Sequence, residues 1–256
     1  MARAIAIDSA RNERFRTWEQ LLEGKGIRKH GAFLLAGRKT VPEALAAMPG
    51  RFSAVLAPDE ETLAALEPLL PDSVTRHLLA PPLFERLDVA GTRLPILVGR
   101  VPDMPPADLR LPPQGLELVC ALGDPSNLGA LLRSAAAFGA RRILLLPDAA
   151  HPFHPKSLRA GANAALTLDF ARVSGWAAVA GAAGPLFALD GGGADLTRFD
   201  WPADLRLVLG EEGQGLPADL AATRLAIPTT GVVESLNATV AAAIALQAWF
   251  SRRSAG

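Results

Sequence analysis

The apolar residues of this chain fall into short runs separated by stretches of helical spacing, and that alternation predicts its elements. In the first half, AFLLAG (32–37), FSAVLAP (52–58) and LPILVGRV (94–101) read as strands. The polar stretch 12–25 reads as a helix. VPEALAAM (41–48) follows as a helix with Pro near its start, and DEETLAALEPLL (59–70) as one with acids in its first turn. In the second half, LELVCAL (116–122), RRILLLP (141–147), LTLDF (166–170), PLFALD (185–190) and LRLVLG (205–210) read as strands. NLGALLRSAAAFG (127–139) reads as a helix ending at Gly139, and 236–250 as a last, Ala- and Leu-rich helix. Strands alternating with helices predict an α/β protein. Apolar runs between helices in the second half predict a mostly parallel sheet covered on both faces.

Residues 102–115 hold five prolines, which fix φ and remove backbone donors. This stretch reads as an interdomain linker, with a small α/β domain over 1–105, a Pro-rich linker over 106–115 and a second domain over 116–256.

Net charge is zero, so bulk composition gives no general argument for nucleic acid. Its distribution does more: residues 1–50 carry nine Lys/Arg against five Asp/Glu, whereas 51–115 carry six against nine. A local basic surface holds phosphates without a basic overall balance, the alternative being a solvated helix face. The single cysteine, Cys120, lies in an apolar run, which excludes a disulfide framework and a cysteine-rich zinc site; no metal is expected. The N-terminus lacks the apolar core of a signal peptide and no stretch reads as a membrane span, so a cytoplasmic protein is expected.

Three clusters carry candidate chemistry. In DPSNLGALLRSAAAFGA (124–140), Asp124, Ser126 and Asn127 stand where a helix cap belongs. Leu128, Leu131, Leu132, Ala135 and Phe138 share one face, while Arg133 points almost opposite, solvated or aimed at a ligand. In LVLGEEGQGLP (207–217), a buried strand ends in closely spaced glycines and two carboxylates, where open α/β sheets bind ligands. It is neither a dinucleotide fingerprint nor a P-loop. In IPTTGVVESLNATVAAAIALQAWF (227–250), Glu234, Ser235 and Asn237 crowd the start of a helix that is apolar all round. Ser235 or Asn237 caps it, and burial on more than one side predicts a partner such as a second copy.

In this order and spacing the clusters resemble the three signature motifs of the SpoU (TrmH-type) RNA ribose 2′-O-methyltransferases of the SPOUT superfamily. Asn127, Gly129 and Arg133 match the first, Gly210, Glu212 and Gly215 the second, and Ile227, Pro228, Gly231, Glu234, Ser235, Leu236 and Asn237 the third. HPFHPKSLRAGANA (151–164) is similar to the segment after the first motif, through Pro155, Lys156 and Arg159. GKGIRKHGAFLLAGRKTVPEAL (24–45) resembles the start of the N-terminal substrate-binding domain of rRNA-type members.

The resemblance implies a C-terminal deep trefoil knot, a ribosomal-protein-like N-terminal α/β domain, and a homodimer through the knot domain. It implies S-adenosylmethionine as methyl donor and RNA as substrate, rRNA ahead of tRNA; the alternatives are a tRNA ribose methyltransferase and an inactive RNA-binding member of the fold. It makes Asn127, Arg133, Glu212, Ser235 and Asn237 the catalytic group. Leu209, Gly210, Glu211, Gly215, Ile227, Pro228, Ser235 and Leu236 are the cofactor-binding group. Arg28, Lys29, Arg38, Lys39, Lys156 and Arg159 are implied as RNA contacts. A guanidinium stays protonated at neutral pH, so Arg133 reads as a phosphate binder that stabilises a developing alkoxide rather than as a base. The chain departs from the family pattern at Gly161–Asn163, where Asn tolerates a left-handed turn, and at Glu211, a second carboxylate beside Glu212.

Overall fold

The computed structural model describes residues 3–210 and 215–254. In chain order the elements are β1 (Ile5–Ile7), α1 (Glu13–Gln20), α2 (Gly24–His30), β2 (Ala32–Leu35), α3 (Thr40–Ala47), β3 (Phe52–Ala57), α4 (Glu60–Leu66), β4 (Thr75–Leu79), α5 (Pro81–Leu87) and β5 (Ile96–Arg100). They continue with β6 (Leu116–Cys120), α6 (Pro125–Ala137), β7 (Arg142–Leu145), α7 (Pro155–Ala160), β8 (Phe170–Arg172), α8 (Trp176–Ala180), β9 (Leu186–Asp195), β10 (Leu205–Leu209), β11 (Thr223–Ala226) and α9 (Ala238–Ser254). They form two compact units. The first runs to Pro102 and adds His151–Ala162; the second comprises Asp103–Ala150 and the residues from Asn163 onward.

The first unit is built on a mixed sheet of order β1-β4-β3-β5-β2. β1, β4 and β3 are parallel, and β5 runs antiparallel to both β3 and β2. Five of the six β3 residues are buried, as befits a central strand with both faces covered. α7 lies well inside the segment expected to belong to the C-terminal domain, yet it groups with this unit: Phe153 packs on Phe33 of β2 with ring centroids 4.8 Å apart.

The second unit is built on a sheet of order β11-β9-β10-β6-β7-β8, parallel at every pairing. The adjacent central strands β6 and β10 are buried throughout. Their one polar pair lies in register: Arg206 sits opposite Glu117 and bonds it at 2.8 Å. Arg206 also donates to the carbonyls of Leu109, Leu111 and Ala183.

Those bonds hold part of the stretch read as an interdomain linker. The Pro-rich stretch is packed into the second unit, with Leu109 buried and Ala107 N donating to Arg172 O at 2.8 Å alongside edge strand β8. Prolines are tolerated there because an edge leaves donors unused. The expected strand 166–170 is displaced: 164–166 forms a 3-10 turn and the strand begins at Phe170.

Candidate functional site at the carboxyl edge of the parallel sheet

Because every strand of the second unit runs the same way, all its strand carboxyl ends open on one edge. β6 and β10 end level, Cys120 beside Leu209. From β6 the chain turns directly into α6. Asp124 caps that helix, its carboxylate accepting from Ser126 N and Asn127 N, both at 2.8 Å, and Pro125 takes the first helical position. This puts half-buried Asn127 in the first turn. Leu128, Leu131, Leu132 and Ala135 are buried beneath the helix, and Arg133 is exposed, with no hydrogen bond or ion pair among the described residues.

From β10 the chain enters the second cluster at Gly210. A Cβ there would stand 2.8 Å from Gly215 C and 2.9 Å from Gly215 O, so Gly215 lies against Gly210 and only glycine fits at 210. Leu209 is buried, Gly210 half-buried and Gly215 exposed with φ +71°. Glu211 and Glu212 lie outside the described residues.

Half-buried Ile227 and exposed Pro228 follow β11 at the same edge. Ser235 is exposed and Leu236 half-buried. Asn237, not Ser235, caps α9: its Oδ1 accepts from Thr239 N at 3.0 Å, from Val240 N at 3.4 Å and from the Thr239 hydroxyl. With that oxygen committed, its carboxamide N–H groups are the donors it can offer a ligand.

α9 lies along α6. Phe138 at the end of α6 meets Phe250 near the end of α9, centroids 5.9 Å apart, while Ala130 and Ser134 share a groove with Val240, Ala243 and Ile244. The two helices therefore run the same way, and their amino-terminal turns, bearing Asn127 and Asn237, lie at the same end. Three clusters far apart in sequence thus come to one edge of the sheet, apart from the undescribed carboxylates. Buried Cys120 takes no part: burial pushes its thiol up to about 12, which keeps it protonated.

The cationic residues expected to meet RNA all belong to the first unit. Arg28 and Lys29 are exposed on α2, Arg38 and Lys39 just ahead of α3, and Lys156 and Arg159 on α7. Sequence reasoning missed what holds α7 there, namely two histidines. His154 caps the helix, Nδ1 accepting from Lys156 N at 3.1 Å, and His151 Nδ1 accepts from Phe153 N at 3.1 Å. Ser157 Oγ closes the turn on His151 O at 3.1 Å. Burial first, then neighbouring Arg28 and His154, push His151 down to about 4, so it stays a neutral acceptor. The H-x-x-H spacing was visible in the sequence, but nothing local distinguished a cap from an exposed pair. Asn163 adopts the left-handed conformation expected of it, with φ +67°.

Among the described residues no group of His, Cys, Asp or Glu is arranged to hold a metal ion, and no helix is long and apolar enough to cross a membrane.

The arrangement defines an α/β protein in which one unit gathers polar residues at the carboxyl edge of a parallel sheet and the other carries exposed cations. More narrowly, the chain belongs to the SpoU rRNA Methylase family, whose pattern matches residues 118–247. It is 30% identical over 93% of its length to the 23S rRNA (guanosine(2553)-2′-O)-methyltransferase RlmP of Bacillus subtilis, spanning 96% of that protein. It is 40% identical over 95% of its length to ribosomal RNA small subunit methyltransferase G 2 of Syntrophobacter fumaroxidans, but spans only 48% of that protein. The crystal structure of the SpoU methyltransferase AviRb from Streptomyces viridochromogenes, in complex with AdoMet, superimposes with a TM-score of 0.78 at 27% identity, covering 96% of this chain and all of that one.

Proposed function

We propose that this chain transfers a methyl group from S-adenosylmethionine to a ribose 2′-hydroxyl of ribosomal RNA. The observation that carries this reading is that Asn127, the close approach of Gly210 to Gly215, and Asn237 lie at one sheet edge, in the order of the family's motifs. RlmP, named for this reaction and matched over nearly its whole length, supports it. The name of the Syntrophobacter protein is not carried over, since over half of that protein has no counterpart here.

The residues fit the cofactor. Gly210 and Gly215 offer backbone without side chain, and Ile227 and Leu236 add half-buried apolar surface. Such a wall suits an adenine read by backbone groups. In this proposal Leu209, Gly210, Glu211, Gly215, Ile227, Pro228, Ser235 and Leu236 hold S-adenosylmethionine, which when bound supplies a methyl group on a sulfonium. Arg133, always protonated, grips the phosphate beside the target ribose and stabilises the oxygen as its proton leaves. Asn127, Glu212, Ser235 and the Asn237 amide orient the ribose. Arg28, Lys29, Arg38, Lys39, Lys156 and Arg159 bind the RNA backbone, making residues 1–105 a substrate-binding domain.

The proposal includes the family's trefoil knot. The insertion of late strand β10 between β9 and the first strand β6 agrees with a threaded connection. It also includes a homodimer through α6 and α9, whose shared groove leaves Val240 and Ile244 exposed with Phe250 beside it. Sedimentation at twice 26.8 kDa, lost in Ile244→Glu, is the expected outcome.

The decisive experiment incubates the protein with tritiated S-adenosylmethionine and either ribosomal or transfer RNA, then locates the label. Label on a ribose of rRNA is expected. Label on a base, or on tRNA alone, overturns the reading.

A further inference from the structure

We propose that the first unit contains a subsite for one unstacked RNA base, in a cavity between α3, α4 and the start of β5, with Arg38 over its mouth. The inference rests on the reading of the chain as an RNA methyltransferase and adds how its substrate is recognised. The cavity has a volume of about 210 Å3 and is walled by Val41, Pro42, Ala65, Leu66, Leu94 and Pro95. Pockets for drug-sized ligands span about 300–1,000 Å3, so this one holds a single ring system rather than a nucleotide with its sugar. Its walls are aliphatic and include two proline rings, surfaces against which the face of a base packs without hydrogen bonds.

Among the described residues, Arg38 is the one charged residue lining it. Arg38 and its neighbour Lys39 are exposed, and neither has a hydrogen bond or ion pair among the described residues. A planar guanidinium stacks on a base and bridges to phosphate, which a lysine does less well. The two cations repel a basic peptide, whereas an RNA strand that turns one base inward brings a phosphate to the rim for each. Thr62 adds an acceptor: its hydroxyl proton is committed to Asp59 O at 3.2 Å, which leaves the oxygen to receive an exocyclic amine. RNA sequence is read largely through bases splayed out of loops and bulges, so a site of this size belongs to target choice rather than to general affinity.

Ala65 is exposed at the rim, so a larger side chain there fills the cavity without entering the core. The test measures binding of an rRNA fragment that carries the methylated ribose, intact or with one abasic nucleotide at each unpaired position in turn. For the wild-type protein, one abasic position outside the methylated nucleotide is expected to weaken binding about tenfold. Ala65→Phe is expected to weaken binding of intact RNA about as much, to lose nothing further at that position, and to keep the affinity for S-adenosylmethionine and the melting temperature. Binding by Ala65→Phe equal to wild type, or an unchanged set of abasic penalties, overturns the subsite. If Ala65→Phe fails to fold, Arg38→Lys replaces it: selective loss of the penalty at the same position supports the proposal, and a wild-type set of penalties overturns it. A wild-type protein that methylates RNA while the variants bind normally sinks only this subsite. One that transfers no methyl group sinks the reading beneath it.

Discussion

Among the described residues, the parallel sheet of the second unit buries two polar side chains, Glu117 and Arg206, and these neutralise each other; the first unit buries six, Arg76, His77, Asp88, His151, His154 and Ser157. The second unit keeps the polar groups of its candidate site at one edge, which leaves the sheet as an apolar platform. The first spends polar groups inward, tying down short elements that lack apolar surface of their own. Yet both use one arginine in the same way. Arg206 bonds Glu117 and clamps the carbonyls of Leu109, Leu111 and Ala183, while Arg76 bonds Glu67 and clamps those of Leu70, Pro71 and Val74. The difference lies in the acid: Glu117 is buried with its partner, whereas the Glu67 side chain keeps 19% of its surface in water.

That difference orders the largest effects. Arg206→Met strands Glu117 in the core and is expected to cost about 3–5 kcal/mol, since an uncompensated buried charge is what makes such a cut severe. Arg76→Met leaves an acid that can rehydrate, so its cost is about 2 kcal/mol, mostly from carbonyls losing their donor. Pairing Arg206→Met with Glu117→Leu is expected to recover most of the loss. Urea unfolding measures all three; equal costs for the two single variants would remove the distinction drawn between the two clamps.

A second contrast separates chemistry from capture. Arg133→Lys, in the second unit, keeps the charge but not the planar fork, and turnover is expected to fall about 100-fold with cofactor affinity unchanged. Near-normal turnover would count against the role assigned to the guanidinium. Arg28→Gln with Lys29→Gln, in the first unit, is expected to weaken RNA binding about tenfold near 0.1 M salt and to lower the salt slope by about two, leaving the rate at saturating RNA untouched. If those charges affect turnover instead, the division of labour between the units is wrong.

How much of this was readable beforehand depends on where each element's information resides. β3, β6 and β10 stand out in the sequence because central strands need apolar residues on both faces. β4 (TRHLL) does not, because its buried Arg76 and His77 look like surface residues until their partners are known. Short edge strands β1 and β11 carry too little pattern to see. α2 reads as a basic stretch because of its glycines; Gly26 is there because a Cβ would stand 1.9 Å from Gln20 O, a tertiary fact. The Pro-rich segment reads as a spacer until Arg206 is seen to bind it. Residues 151–162 interrupt the second unit in sequence but pack with the first through Phe153 and Phe33, a contact no local pattern encodes. Asn127, Gly210 and Asn237 were legible because each sits at an element boundary with its own cap or turn chemistry. Which residue caps α9 was not, since Ser235 and Asn237 are both competent and only the backbone path selects Asn237.

The smallest expected effect comes from the histidines that only the first unit buries. His77 is pushed down from 6.5 to about 4 by burial and then by Arg14, and His151 by burial and then by Arg28 and His154. Between those values the unfolded chain binds protons that the folded chain refuses, so stability rises with pH there. The contribution is complete above pH 6.5 and is lost as the pH falls toward 4. The shifted carboxylates of the second unit, Asp108 and Asp195, have their pKa values lowered from 3.8, chiefly by bonds to Arg110 and Thr197, so they titrate below that window. Lowering the pH from about 7 to about 5 is therefore expected to lower the melting temperature by about 3 °C. It should also open amides of β4 and α7 to hydrogen exchange, corrected for intrinsic rates, before those of β6 and β10. Uniform loss of protection across both sheets would mean that the buried histidines do not set the acid sensitivity, and that the contrast in buried polar groups has no thermodynamic consequence.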